Sequence, residues 1–285
     1  MTILVIGASG LVGGAVLDAL RAAGAPVRAA SRDPAAHSFP AGVETVAADL
    51  TRPETLGRAL GGVDGVFLYA RRDGAEGVVA AAKAAGVKRL VLLSSAAVAM
   101  EGADVDVLAD MHGAVERAIM ASGIPWTFLR ATGFAANAIQ WGWARSIRAA
   151  NVVRLPYPEA QVAPIHEKDI ADVAVAALLR GAAANEAPHL TGPRSLSQRQ
   201  QVELIAEAIG RPIRIEALSH EEAKAGMSRA VPANIVEMML GYWARSVGRP
   251  AEVTNEVERI AGHPARSFAE WARDHAADFT ETAAA

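Results

Sequence analysis

The sequence contains no cysteine, which excludes disulfide bridges, thiolate metal sites and a cysteine nucleophile. It also lacks any surplus of positive charge. The 28 basic residues face 31 acidic ones for a net charge of −3, so no overall field draws in a polyanionic backbone, and no nucleic-acid partner is expected. Long apolar runs are missing too. Gly, Arg or Asp breaks each apolar stretch well before the roughly 20 residues that a span requires, so no membrane contact is expected. The start, Met1-Thr-Ile-Leu-Val-Ile-Gly, is too short in its apolar run and too uncharged in front for a secretory segment, and reads as a strand. A cytoplasmic location fits these absences. What is present is a globular balance, 52% hydrophobic and 21% charged, and 285 residues hold a nucleotide domain plus a smaller lobe.

Short β-rich runs alternate with Ala-rich helical stretches: Thr2–Gly7 then Leu11–Ala23, Pro26–Ser31, Val43–Ala48 then Pro53–Leu60, Asp64–Ala70 then Gly74–Ala85, and Arg89–Ser95. Runs this apolar suit strands covered by helices on both faces, so the rhythm predicts right-handed βαβ units and a doubly wound parallel α/β sheet of Rossmann type. A helix at Val107–Ser122, a strand at Pro125–Arg130 and a helix from Gly133 continue it. Past Ala150 the strands shorten and helices dominate, among them Glu167–Arg180, Gln198–Ile209 capped by Ser197, Pro232–Val247 and Ala265–Phe279, with a strand at Pro212–Ala217. The expected division is a dinucleotide-binding domain at 1–150 and a smaller C-terminal α/β substrate lobe at 151–285, with 160–182 packing back on the first.

Gly7-Ala-Ser-Gly10-Leu-Val-Gly13 follows the first strand and opens the first helix. In that setting Gly7 permits a sharp turn, Gly10 lets a pyrophosphate approach the backbone, Gly13 allows close helix packing, and free helix N–H groups bind phosphate. Gly7, Ser9, Gly10, Leu11, Val12 and Gly13 are therefore candidate cofactor contacts. An NAD-specific site would carry an acid at the end of the second strand; here Ser31-Arg32 stands there, suited to a 2′-phosphate, so NADP(H) is expected over NAD(H). The alternative pairs Arg32 with Asp33 on the surface. Asp49 and Leu50 end the third strand where an adenine edge would lie, although Asp49 also suits a turn cap.

A tyrosine followed four residues later by lysine, a pair that lets the phenol act as an acid, is absent: the positions after Tyr69, Tyr157 and Tyr242 hold Asp73, Gln161 and Ser246. The helix that would carry it has His112 and Glu116 one turn apart on one face. With the glycine loop, the strand end Leu92-Leu93-Ser94-Ser95, the segment Leu129-Arg130-Ala131-Thr132-Gly133-Phe134, the stretch Ala163 to Ala171 and the closing Val257 to Phe268, this pattern resembles the atypical short-chain dehydrogenases of the NmrA-like family. The subset similar to NAD(P)H:quinone reductases comes nearest. The resemblance implies cofactor contacts at Ser94, Ser95, Glu116, Ala131, Thr132, Gly133 and Phe134. It implies an NADPH-dependent oxidoreductase reducing a small quinone, enone or carbonyl compound; the alternative is a non-catalytic NADP(H)-sensing regulator and, behind both, an isomerase or lyase with bound dinucleotide.

His112 is the candidate proton donor, its ordinary pKa near 6.5 suiting acid work, and Glu116 either orients it, touches a ribose or forms a plain helix pair. Tyr69, at the end of the fourth strand, lies near the crevice where open α/β sheets bind ligands and is a second catalytic and cofactor candidate. His112, Phe134, Asn137, Trp141 and Tyr157 are candidate substrate contacts around a flat molecule. His166, Asp169 and Asp172 are too sparse to argue for a metal, so none is expected, and His220 with Lys224 reads as a solvated helix face. A small-molecule partner is expected, and a homodimer is allowed.

Overall fold

The computed structural model describes residues 1–100 and 106–280. The first layer is built from β1 (Ile3–Ile6), α1 (Leu11–Ala22), β2 (Val27–Ser31), β3 (Glu44–Ala47), α2 (Leu56–Leu60), β4 (Gly65–Tyr69), α3 (Ala75–Ala84), β5 (Arg89–Ser95), α4 (Asp106–Ser122) and β6 (Trp126–Ala131). The chain then runs through α5 (Asn137–Gln140), α6 (Trp143–Ala150), β7 (Val152–Pro156), β8 (Gln161–Val162), α7 (Glu167–Arg180), β9 (His189–Leu190), β10 (Leu196–Ser197), α8 (Gln198–Ile209), β11 (Arg214–Leu218), α9 (His220–Met227), α10 (Ala233–Ser246), α11 (Glu256–Ala261), α12 (Phe268–Asp274) and α13 (Ala276–Thr280). No helix among the described residues is long and apolar enough to cross a membrane.

Seven parallel strands form the central sheet in the order β3-β2-β1-β4-β5-β6-β9. The two-residue period of β1 explains why all four of its residues are buried: Ile3 and Val5 enter the core under α1 and α7, while Leu4 and Ile6 enter the opposite core with residues of α2, α3 and α4. A 12-residue helix such as α1 is marginal on its own, but its fully buried Leu17 and Leu20 stabilise it against the sheet by on the order of 1.5–3 kcal/mol each. Strand order reverses between β1 and β4, and a crevice opens at their C-terminal ends.

The second half does not separate at one point in the chain. α7 packs against α1, and β9 then adds the seventh strand beside β6, a return the sequence reading did not register because two residues carry no period. The remaining elements make two small sheets, β11 parallel to β7 and β10 antiparallel to β8, with α6, α8, α12 and α13 around one core and α9 and α10 around another. Two expected helices are broken. The one from Gly133 becomes α5 and α6, parted at Gly142 with φ 84, and the one at 265–279 becomes α12 and α13.

The second break falls at His275, whose ring ties the end of α12 to the start of α7. Its Nε2 lies 2.7 Å from Glu167 Oε1 and its Nδ1 2.8 Å from Asp278, while Trp271 Nε1 donates to Glu167 Oε2 at 3.1 Å. Burial opposes the charge on Glu167, but the His166 and His275 rings hold its carboxyl far below the ordinary carboxylate range. Burial likewise opposes the charge on His275, and the bonds to Glu167 and Asp278 outweigh it, raising its pKa above 6.5. The lowered Glu167 contributes stability that is present above its ordinary 4.5 and lost in acid; the raised His275 contributes stability that is present below 6.5 and lost as pH rises through its higher folded value. This contribution is therefore expected to peak between pH 4.5 and 6.5. In calorimetric scans His275→Gln should flatten the alkaline fall in Tm; an unaltered slope would show that the clasp is not proton-linked.

Candidate functional site

Two backbones set the site. Gly7 has φ 80, and a Cβ there would lie 3.0 Å from two carbons of the Tyr69 ring. A Cβ on Gly13 would lie 2.1 Å from the Gly7 carbonyl oxygen, so α1 approaches the end of β1 more closely than any side chain allows. Gly7 and Ala8 donate to Ala30 O at 3.0 and 3.2 Å, tying the loop to β2. Gly10 is the extended N-cap of α1 and offers no side chain to close it, so the first amides of the helix face the crevice with their partial positive charge uncapped.

A cavity of about 350 Å³ lies against this turn. Gly7, Ser9, Gly10, Leu11, Val12, Gly13, Ser31 and Arg32 line it, so the structure brings together all the residues that the sequence singled out in the loop and at the end of β2. Ser31 is 5% exposed, and its buried Oγ has no hydrogen-bond partner. Arg32 is exposed and makes no side-chain hydrogen bond or ion pair among the described residues, because Asp33 accepts from Ala35 N at 3.1 Å instead. An orphaned hydroxyl, a free guanidinium and a cradle that a Cβ would fill fit a phosphorylated dinucleotide. Asp49 does not line the cavity: it accepts from Thr51 N at 2.9 Å and Thr51 Oγ1 at 2.8 Å, and these bonds hold its carboxyl below 3.8. Leu50 is buried, with its carbonyl packed where a Cβ on Gly74 would stand.

Phe67, Tyr69, Leu93, Phe134 and Gln140 line it as well. Phe67 and Leu93 escaped the sequence reading although strand periodicity marks them: Phe67 shares a face with Tyr69, and Leu93 is paired with Tyr69 across the sheet. Gln140 was missed as well, a polar residue closing an otherwise apolar Ala135–Ile139 stretch apart from Asn137. Phe134 is fixed by its backbone, since Ala135 N donates to Ile165 O at 2.9 Å and Ile165 N to Gly133 O at 3.0 Å. Its neighbours Ala131, Thr132 and Gly133 do not line the cavity; the Thr132 hydroxyl is within reach of the carbonyls of Ala163 at 3.1 Å and Leu190 at 3.3 Å.

The structure takes several candidates elsewhere. Glu116, expected to face a ribose or His112, is 2% exposed and accepts from Ser94 Oγ at 2.6 Å, from Arg130 Nε at 3.1 Å and from Arg130 Nη2 at 2.6 Å. Ser94 is thereby spent as well, and Ser95 accepts from Ala97 N at 3.2 Å to cap the next turn. His112 does not line the cavity either; it is half-buried with an unpartnered Nδ1, and burial lowers its pKa below 6.5, the Glu116 charge only partly opposing this. Tyr157 gives no wall to the cavity, since its hydroxyl meets His220 Nδ1 at 2.8 Å within the core around α10. His220 is thus a packing partner rather than a solvated residue, and Lys224 pairs with Glu237. Trp141 is 40% exposed and stands edge-on to Trp243 at 5.1 Å, while Asn137 opens α5 beside Gly133. Asp169, Asp172 and His263 gather ligand atoms within 4.8 Å, but the Arg266 guanidinium bonds both carboxylates and already supplies the cation.

The strand order, the glycine turn and the crevice beside it define a Rossmann-type fold of the short-chain dehydrogenase class. The chain belongs to the NmrA-like family, which it matches over residues 1–267. It is 38% identical over 282 residues to a (4-alkanoyl-5-oxo-2,5-dihydrofuran-3-yl)methyl phosphate reductase of Streptomyces griseus, covering 97% of this chain and 99% of that one. It is 35% identical over 288 residues to an NAD(P)H azoreductase of Xenophilus azovorans, with 97% and 99% covered. Its fold is similar to that of a Citrobacter triphenylmethane reductase complexed with NADP(H), at TM-score 0.78 and 23% identity, over 97% of this chain and all of that one.

Gly13→Ala tests the cradle. Pushing a methyl against backbone is expected to cost about 1–3 kcal/mol or more in denaturant unfolding and to abolish dinucleotide binding followed by fluorescence; a folded variant that binds normally would contradict the packing described.

Proposed function

We propose that this NAD(P)H-dependent oxidoreductase of the atypical short-chain dehydrogenase type prefers NADPH and reduces a small quinone, enone or carbonyl compound. The observation that carries the cofactor preference is the pair Ser31 and Arg32: a buried hydroxyl and an exposed guanidinium, both without partners, beside the glycine turn. Reductases of a butenolide phosphate and of azo compounds among the relatives support reduction of a conjugated acceptor.

A bound nicotinamide supplies the hydride. The uncapped amides of α1 would hold its diphosphate, and Ser31 with Arg32 the 2′-phosphate. Phe67, Leu93 and Phe134 would exclude water from the apolar part of the lining, and Tyr69 brings a hydroxyl beside them. Little acid is needed there, because the oxyanion that develops on a quinone is delocalised over the ring. That suits His112, which at neutral pH is uncharged and offers an N–H rather than an imidazolium.

NADPH oxidation with a panel of quinones, enones and carbonyl compounds should show an acceptor that accelerates it over buffer; tight binding with no acceptor would point to a dinucleotide sensor. Arg32→Ala should weaken NADPH about 10–100-fold, the worth of one or two charge-assisted bonds, while NADH binding stays nearly unchanged. Equal losses would remove Arg32 as the selector. Because the uncharged ring is the form that serves, turnover should rise as pH rises through a value below 6.5, and His112→Gln should remove that limb.

A further inference from the structure

We propose that Arg130 is a positioning residue: by engaging both oxygens of Glu116 it keeps that carboxylate off His112, so that the imidazole meets the substrate uncharged. The proposal rests on the reading of His112 as a group that contacts substrate. His112 and Glu116 are one turn apart on α4, the spacing at which a carboxylate and an imidazole readily pair. They do not pair here. Ser94 Oγ and Arg130 Nε hold Oε1, Arg130 Nη2 holds Oε2, and His112 Nδ1 is left buried without a partner. Nε2 has no partner either and is not among the buried unpartnered atoms, so it is the nitrogen that a ligand can reach.

Arg130 occupies this position because it projects near the end of β6, and Ser94 is its register partner on β5, so both meet the face of α4 that packs on the sheet. The guanidinium fork matches a carboxylate in two bonds, which a single ammonium cannot. Without it, a Glu116 carboxylate with 2% exposure would carry an unpaired charge, and the nearest group able to neutralise it is the imidazole one turn away. The other charges near this stretch of α4 are engaged or solvated: Asp110 pairs with Arg72 from the loop before α3, and Arg117 is exposed.

The test is an NMR titration of the His112 ring in the free protein, which needs no turnover. Arg130→Lys, holding one oxygen only, should move the His112 midpoint upward, and Arg130→Gln by more, about one pH unit or a tenfold rise in proton affinity. Adding Glu116→Gln to either variant should abolish the rise. An unmoved midpoint in folded Arg130→Lys, or a rise that survives Glu116→Gln, would overturn the proposal. Arg130→Lys serves if Arg130→Gln does not fold. The pH profile of turnover separates the two readings: a moved ring midpoint with an unmoved turnover limb would leave Arg130 in its role and remove His112 from the reaction.

Discussion

The Cα of Gly13 rests against the carbonyl of Gly7, and the rest of the site follows from that contact. A Cβ at Gly13 would stand 2.1 Å from the oxygen, so the helix can seat at this height only because the side chain is absent. Seating α1 there points its first amides along the crevice, and the turn at Gly7 clears the Tyr69 ring by the same economy of atoms. Behind it α7 packs on α1 and is itself held by Glu167 to His275 and Trp271, so this clasp supports the back of the helix that the glycine turn opens.

The lining of the cavity is of two kinds. One part is the glycine turn with Ser31 and Arg32, where the buried Ser31 hydroxyl has no hydrogen-bond partner. The other part is mostly apolar, with the Tyr69 phenol and the Gln140 amide as its polar groups, and the buried pair Glu116 with Arg130 is neutralised within the protein. Such a pair fixes β5, β6 and α4 against one another without offering charge to a ligand. On the proposed function, such a lining would give modest proton assistance, which suits acceptors whose reduced form carries its own charge.

What was legible in the sequence was what local spacing encodes. The glycines at 7, 10 and 13 each have one steric meaning at a fixed offset from a strand, and the alternation of runs through β6 gave the sheet order's logic directly. The partners of Glu116 were not legible, because Ser94 and Arg130 lie 22 and 14 residues away and a buried ion pair leaves no periodic trace. His275 broke a helix with neither glycine nor proline to announce it, acting through side-chain bonds to Glu167 and Asp278. Tyr157 looked like a pocket aromatic by composition, yet its hydroxyl is taken by His220, a contact between residues 63 apart. Phe67 and Leu93 are the reverse case, readable from the two-residue period once Tyr69 is placed on the crevice.

The central claim is that the glycine turn and the end of β2 together form one phosphate-binding unit for NADPH. The most direct measurement is a crystal structure of the protein grown with NADPH. The account predicts the diphosphate on the amides at the start of α1 and the 2′-phosphate against Ser31 Oγ and the Arg32 guanidinium. A 2′-phosphate lying in solvent with Ser31 still unpartnered, or a dinucleotide seated away from Gly7–Gly13, would contradict it.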